Sequence, residues 1–248
     1  MSYGALVAIP RERLARITGG LYLAFVVALT LADRFGFGVV DTELAREALT
    51  TDSSRFAVGL VFGLLSAFLF VMAAWGLYVL LKPVNHDLAL LFLVLNAIGV
   101  AIQVASYIPL ILAMLSTDTP GFAETFSLAQ VESLQYLSFD LYKLSFVAAQ
   151  LFFATWLFPL GYLVYKSGII PKFLGVLLLL DGFAVLLWFF QGTLLPDNPA
   201  ISYPGLALSF IAEVGLGLWL LVRGIKSPAD EPDDEIEERA RVAETLPR

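Results

Sequence analysis

The chain has 248 residues, 59% of them hydrophobic and 15% charged, with a formal net charge of −7 and no cysteine. Soluble domains run at about a quarter charged; here the mean hydropathy is +0.83 and the charge is gathered between long apolar runs, so the solvent is lipid. The acidic balance argues against nucleic acid as a partner, and the lack of cysteine excludes disulfides, thiolate metal sites and a Cys nucleophile.

Six apolar segments follow one another at roughly 15–32, 56–81, 88–115, 144–165, 173–190 and 205–222. Each can cross a hydrocarbon core of about 30 Å as a helix, and none alternates as a barrel strand does. The expected fold is therefore an all-α integral membrane bundle of six transmembrane helices over residues 1–226, its lipid partner the bilayer of the cytoplasmic membrane. The first segment has a basic flank and, at Thr30 and Ala32, small residues suited to signal-peptide cleavage. Its apolar stretch is long for a signal peptide, and it reads as an anchor. In the next connection Asp41–Leu49 predicts a short interfacial helix with Asp41 as N-cap. Ahead of the fourth segment Ser127 and Gln130 have capping-box spacing. Leu128, Val131, Leu134, Leu137, Leu141 and Leu144 then recur at helical intervals. The fourth helix is thus expected to start before the membrane, as an interfacial helix or one long rod, with this leucine stripe packed on the bundle. Pro171 is expected to open the fifth helix. Over 227–248 the chain turns acidic and is cut by Pro228, Pro232 and Pro247, the composition of a disordered tail.

Small residues recur at every fourth position in several spans, as in Gly20, Ala24 and Ala28, in Gly59, Gly63 and Ala67, and in Gly205, Ser209, Glu213 and Gly217. Such stripes let helix backbones approach closely in lipid. Packing within one chain is the plainer reading; a homodimer through Gly59 and Gly63 is the sharper one.

The residues that do not belong in lipid are Asp181 and Glu213, each near the middle of its span. A charged side chain there costs about 2.5–3.5 kcal/mol on insertion scales, and no Lys or Arg lies mid-span to pair with either. Glu213 stands in a small-residue stripe and is expected to face protein, while Gly182 beside Asp181 admits a neighbouring helix. With Gln103 and Asn96 in the third span and Ser209 next to Glu213, these five are the candidate ligand-binding residues. They would form a midplane pocket for a small polar ligand, a proton or a cation. The alternative is that they only lock the bundle by hydrogen bonds, the protein being a structural or regulatory membrane protein that acts through partner contacts.

No motif specifies a reaction, and no catalytic residue, metal or cofactor is expected. His86 is the single histidine, too few for bis-His haem or an HExxH zinc site. The Gly-x-Gly-Asp pattern of intramembrane aspartyl proteases is absent around Asp181. Trp75, Tyr78, Tyr162, Tyr165 and Trp219 fall near one set of span ends and Tyr107, Trp188 and Tyr203 near the other, as an aromatic belt would place them.

Several stretches carry a family likeness: RLARITGGLYL at Arg13–Leu23, LKPVN at Leu81–Asn85, GYLVYKSGIIP at Gly161–Pro171 with LGVL at Leu174–Leu177, and Glu213 ahead of LWLLVRG at Leu218–Gly224. The chain resembles the prokaryotic membrane family catalogued as domain of unknown function 4386, from the first span to Gly224. The Tyr-Lys-Ser-Gly-x-x-Pro loop is the most specific piece. The resemblance implies a multi-span helical membrane protein and brings no activity. It also implies an acid at the position of Glu213, whereas Asp181 stands where a small apolar residue is more usual, which makes Glu213 the residue to test.

Eleven of the fifteen Lys and Arg fall on the side that six spans assign to both termini, and the richer side should be cytoplasmic. Reporter fusions at Pro10 and after Ser227 are both expected to report inside. One of them reporting outside would contradict the six-span topology.

Overall fold

In lipid every backbone N–H and C=O has to be satisfied internally, and for apolar runs without strand alternation that leaves the helix. The computed structural model describes residues 10–35, 47, 49–118, 121 and 125–225. These residues hold six long helices: α1 (Arg11–Arg34), α2 (Ser53–Leu81), α3 (His86–Asp118), α4 (Leu128–Ser167), α5 (Lys172–Leu194) and α6 (Tyr203–Val222), with a short 3-10 turn at Pro199–Ile201 before α6. All six are long and apolar enough to cross a membrane, so the chain is a multi-pass membrane protein.

Local chemistry sets the helix ends. Asp52 accepts the Arg55 N–H at 3.0 Å and caps α2, and Asn85 does the same for Leu88 ahead of α3. Ser127 and Gln130 form both bonds of the capping box, so α4 starts at Leu128 and runs as one rod of 40 residues. At 1.5 Å per residue that is about 60 Å, twice a hydrocarbon core and more than a single crossing needs. Gly168 ends α4 in the left-handed region at φ 68°, a conformation that costs glycine no steric penalty. Pro171 occupies the cap position just before Lys172, with φ −58° and ψ 134°, one residue earlier than a proline that opens the helix.

Neighbours in sequence are neighbours in space. Each helix packs on the next, and α6 returns to pack on α1, which closes the six into a ring. Both ends of the described chain meet at one end of it. The Arg11 guanidinium donates to the Leu80 carbonyl at 3.1 Å, and a Cβ placed on Gly224 would lie 3.9 Å from both Arg16 Nε and the Glu12 carbonyl.

Two crossings bring backbone against backbone. A Cβ on Gly19 of α1 would sit 2.6 Å from the Gly217 carbonyl of α6, and one on Gly175 of α5 would sit 2.7 Å from the Gly161 carbonyl of α4. At its other end α6 leans on α5 instead, where a Cβ on Gly205 would be 3.1 Å from that of Ala184. Gly59 and Gly63 of α2 are buried in the single chain.

Three expectations change here. Most of the apolar stripe of α4 faces outward: Leu128, Leu137, Leu141 and Leu144 are exposed and Val131 and Leu134 half-buried, while Gln135, Ser138, Phe139 and Tyr142 turn inward. Leucine needs no burial where the surroundings are lipid, so the polar and aromatic residues take the protein face. Tyr107 and Trp188 are not belt residues, since Tyr107 is buried and accepts a hydrogen bond from Gln103 and Trp188 faces the interior. Most of the helix expected at Asp41–Leu49, and the acidic tail, lie outside the described residues.

The Gly19 crossing is tight enough to test. Gly19→Ala is expected to lower the melting temperature in detergent, at a cost of about 1–3 kcal/mol for forcing a methyl into a full contact. Gly20→Ala, whose Cβ would meet only Leu221 Cδ1 at 3.8 Å, should leave it unchanged or slightly raised.

Candidate functional site

The ring is not filled. A cavity of about 370 Å³ lies inside it, and every helix contributes a wall. Its floor is aromatic: Phe25 of α1 and Phe70 of α2 stack with centroids 4.2 Å apart, and the fully buried Tyr22 stands edge-on to both. Gln103 of α3 and Phe146, Gln150 and Phe153 of α4 line one side. Val185 and Trp188 of α5 and Leu206, Ser209 and Glu213 of α6 line the other. Leu29, Thr30 and Asp33 form the rim on α1, toward the end of the ring opposite the termini. Among the described residues no Lys or Arg lines the cavity.

Three of the five residues singled out in the sequence share this space. Glu213, Ser209 and Gln103 line it. Asp181 sits behind Ser209, fully buried, and its Oδ1 accepts the Ser209 hydroxyl. Gly182 is what lets α5 bring this carboxylate inward, because a Cβ there would be 2.9 Å from the Phe158 ring of α4. Among the described residues Asp181 Oδ2 and Tyr22 Oη have no hydrogen-bond partner. Asn96 is buried on α3 with neither amide atom paired among the described residues, and it does not line the cavity.

Sequence reasoning passed over the rest of the lining. Gln150 is a mid-span carboxamide of the same kind as Gln103, and that was signal enough to find it. It donates to the Phe146 carbonyl of its own helix at 3.4 Å, a long contact that leaves its oxygen for the cavity. The phenylalanines carried no signal, since an aromatic ring is as acceptable to lipid as to a protein interior.

Chemically, the arrangement is a cavity lined by five aromatic rings and two carboxamides, with the Glu213 carboxyl in its wall, that of Asp33 at its rim and that of Asp181 one hydrogen bond behind Ser209. It accepts hydrogen-bond donors and positive charge and offers little to an anion.

The family described as Domain of unknown function (DUF4386) matches residues 17–224. The chain belongs to this family. The match covers all of the cavity lining, so the DUF4386 region and the ring coincide. An uncharacterized protein of Archaeoglobus fulgidus is 27% identical over 159 residues, which is 59% of this chain and 88% of that protein. No solved structure matches the chain.

The Ser209–Asp181 bond should be measurable as a coupling. In a double-mutant cycle of Ser209→Ala and Asp181→Leu, read by equilibrium unfolding in mixed micelles, an interaction of about 0.6–1.7 kcal/mol is expected, the range of buried hydrogen bonds in membrane proteins. Strict additivity would mean that the two side chains do not meet.

Proposed function

We propose that this DUF4386 protein binds a small cation with an apolar body, such as an organic amine or quaternary ammonium, in the cavity beside Glu213. The observation that carries this reading is the lining itself: a carboxyl set among aromatic rings with no basic residue beside it among the described residues. A cation over an aromatic face gains about 0.5–2 kcal/mol per ring, more as it is desolvated. Phe25, Phe70, Phe146, Phe153 and Trp188 line the same cavity as the acid. Asp33 at the rim is exposed and would draw positive charge toward the mouth. The volume falls within the range of small-molecule sites, about 300–1,000 Å³. We further read the protein as lying in the cytoplasmic membrane with its termini inside, supported by the basic residues on that side; the cavity mouth then faces outward.

Purified protein in nanodiscs can be titrated with benzyltrimethylammonium, following the fluorescence of Trp188 in the cavity wall. Saturable quenching is expected, and Glu213→Gln should weaken it at least tenfold, equal to about 1.4 kcal/mol. Benzylsulfonate, similar in size and opposite in charge, should not bind. Equal affinity in the Gln variant, or binding of the sulfonate, would overturn the proposal. Uptake of the same cation by proteoliposomes would separate movement across the membrane from binding alone.

A further inference from the structure

A second hollow, of about 420 Å³, lies outside the ring, between α5 and α6 at the end where the termini meet. Its walls are apolar, with Phe173 and Leu177 from α5 and Ile211, Gly215 and Leu218 from α6, and it ends at Arg223. Gly215 makes the groove, for the position of its missing Cβ is 3.4 Å from Leu174 Cδ2 and any longer side chain would fill the space. Ile211 and Val222 are exposed at 59% and 67%, so this face belongs to the lipid side of the protein.

We propose that this groove is a binding site for an anionic phospholipid, an acyl chain lying along α6 and the headgroup phosphate on Arg223. Length supports the occupant. From Arg223 to Ile211 is twelve residues, about 18 Å of helix, against about 15 Å for the half of a hydrocarbon core that one leaflet fills. Charge supports it too. Arg223 is exposed, and its guanidinium offers a planar fork of donors that matches phosphate oxygens. Trp219, one turn before it, also lines the groove, at the depth where aromatic rings sit among headgroups. Two other basic side chains near this end are engaged elsewhere: Lys172 lies over the Tyr165 ring with its Nζ 5.8 Å from the centroid, and Arg11 is bonded to Leu80. The site shares no lining residue with the central cavity and does not depend on what that cavity binds.

Native mass spectrometry of the full chain, after exchange into micelles doped with equal dioleoylphosphatidylglycerol and dioleoylphosphatidylcholine, reads the preference directly. Wild type should retain the anionic lipid in excess. Arg223→Gln should reduce that excess at least fivefold, and Lys82→Gln, which removes a basic residue at the same end but outside the groove, should leave it intact. Gly215→Leu should lower retention of both lipids, with an unchanged melting temperature in lipid-free detergent as the check on folding. No preference in wild type, equal losses in the Arg223 and Lys82 variants, or full retention in Gly215→Leu would each overturn the proposal.

Discussion

Helices in lipid are not driven together by the hydrophobic effect, because acyl chains are as apolar as leucine. They stay where backbones can touch. Gly19 against Gly217 closes the ring between the first and last helices, and Gly161 against Gly175 fastens α4 to α5. From its contact with α1, α6 leans away until Gly205 meets Ala184 of α5. Over the same stretch α1 continues through Leu29, Thr30 and Asp33, and α6 through Leu206 and Ser209, all of which line the cavity. The hollow is thus a geometric consequence of one helix being held by different neighbours at its two ends.

That lean explains how two carboxylates come to lie inside an apolar bundle. Gly217, Glu213, Ser209 and Gly205 recur at i, i+4 spacing and follow one slowly drifting face of α6. Along it the surroundings change from the α1 backbone to the cavity, then to Asp181 of α5, then to Ala184. Glu213 falls where the stripe crosses open space, so its charge costs less there than against lipid. Asp181 has no such outlet for its second oxygen. A fully buried carboxyl with one acceptor unsatisfied is expensive, and water or a ligand proton would relieve it. Ser209 lines the cavity beside Glu213 and its hydroxyl donates to Asp181 behind it.

How much of this was legible depends on what kind of signal each residue carries. Length and hydropathy specify six spans whatever their packing. The Ser127–Gln130 box fixes the start of α4 because capping is local chemistry. Glu213 could be turned inward from sequence since a carboxylate has only one tolerable side. Apolar residues carry no such constraint. Phe68 is 61% exposed and Phe70, two positions on, is 4% exposed, yet both suit lipid and interior equally. Leu128, Leu137, Leu141 and Leu144 of α4 are exposed for the same reason, since lipid accepts leucine as readily as an interior does. Tyr107 looked interfacial by depth alone, although Gln103 stands one helical turn before it, where i, i+4 spacing brings its amide to the Tyr107 hydroxyl. The aromatic wall comes from residues as distant as Phe25 and Trp188, which no local pattern joins.

One helix separates the two hollows. Ile211 and Gly215 each stand two residues from Glu213, hence about 200° round the helix from it. The cavity and the outer groove are therefore opposite faces of α6, which lacks a side-chain cap at its start and is held most closely at Gly217. A rotation of α6 about its axis that moved the Glu213 carboxyl would carry Ile211 and Gly215 with it in the opposite sense. If an occupant of either site favours one setting of the helix, linkage requires the other site to feel it by the same factor. A lipid seated against Gly215 and Arg223 would then bias the position of Glu213 without touching it. The size of that bias is bounded by the difference in affinity of the lipid for the two settings, and it vanishes if α6 has only one.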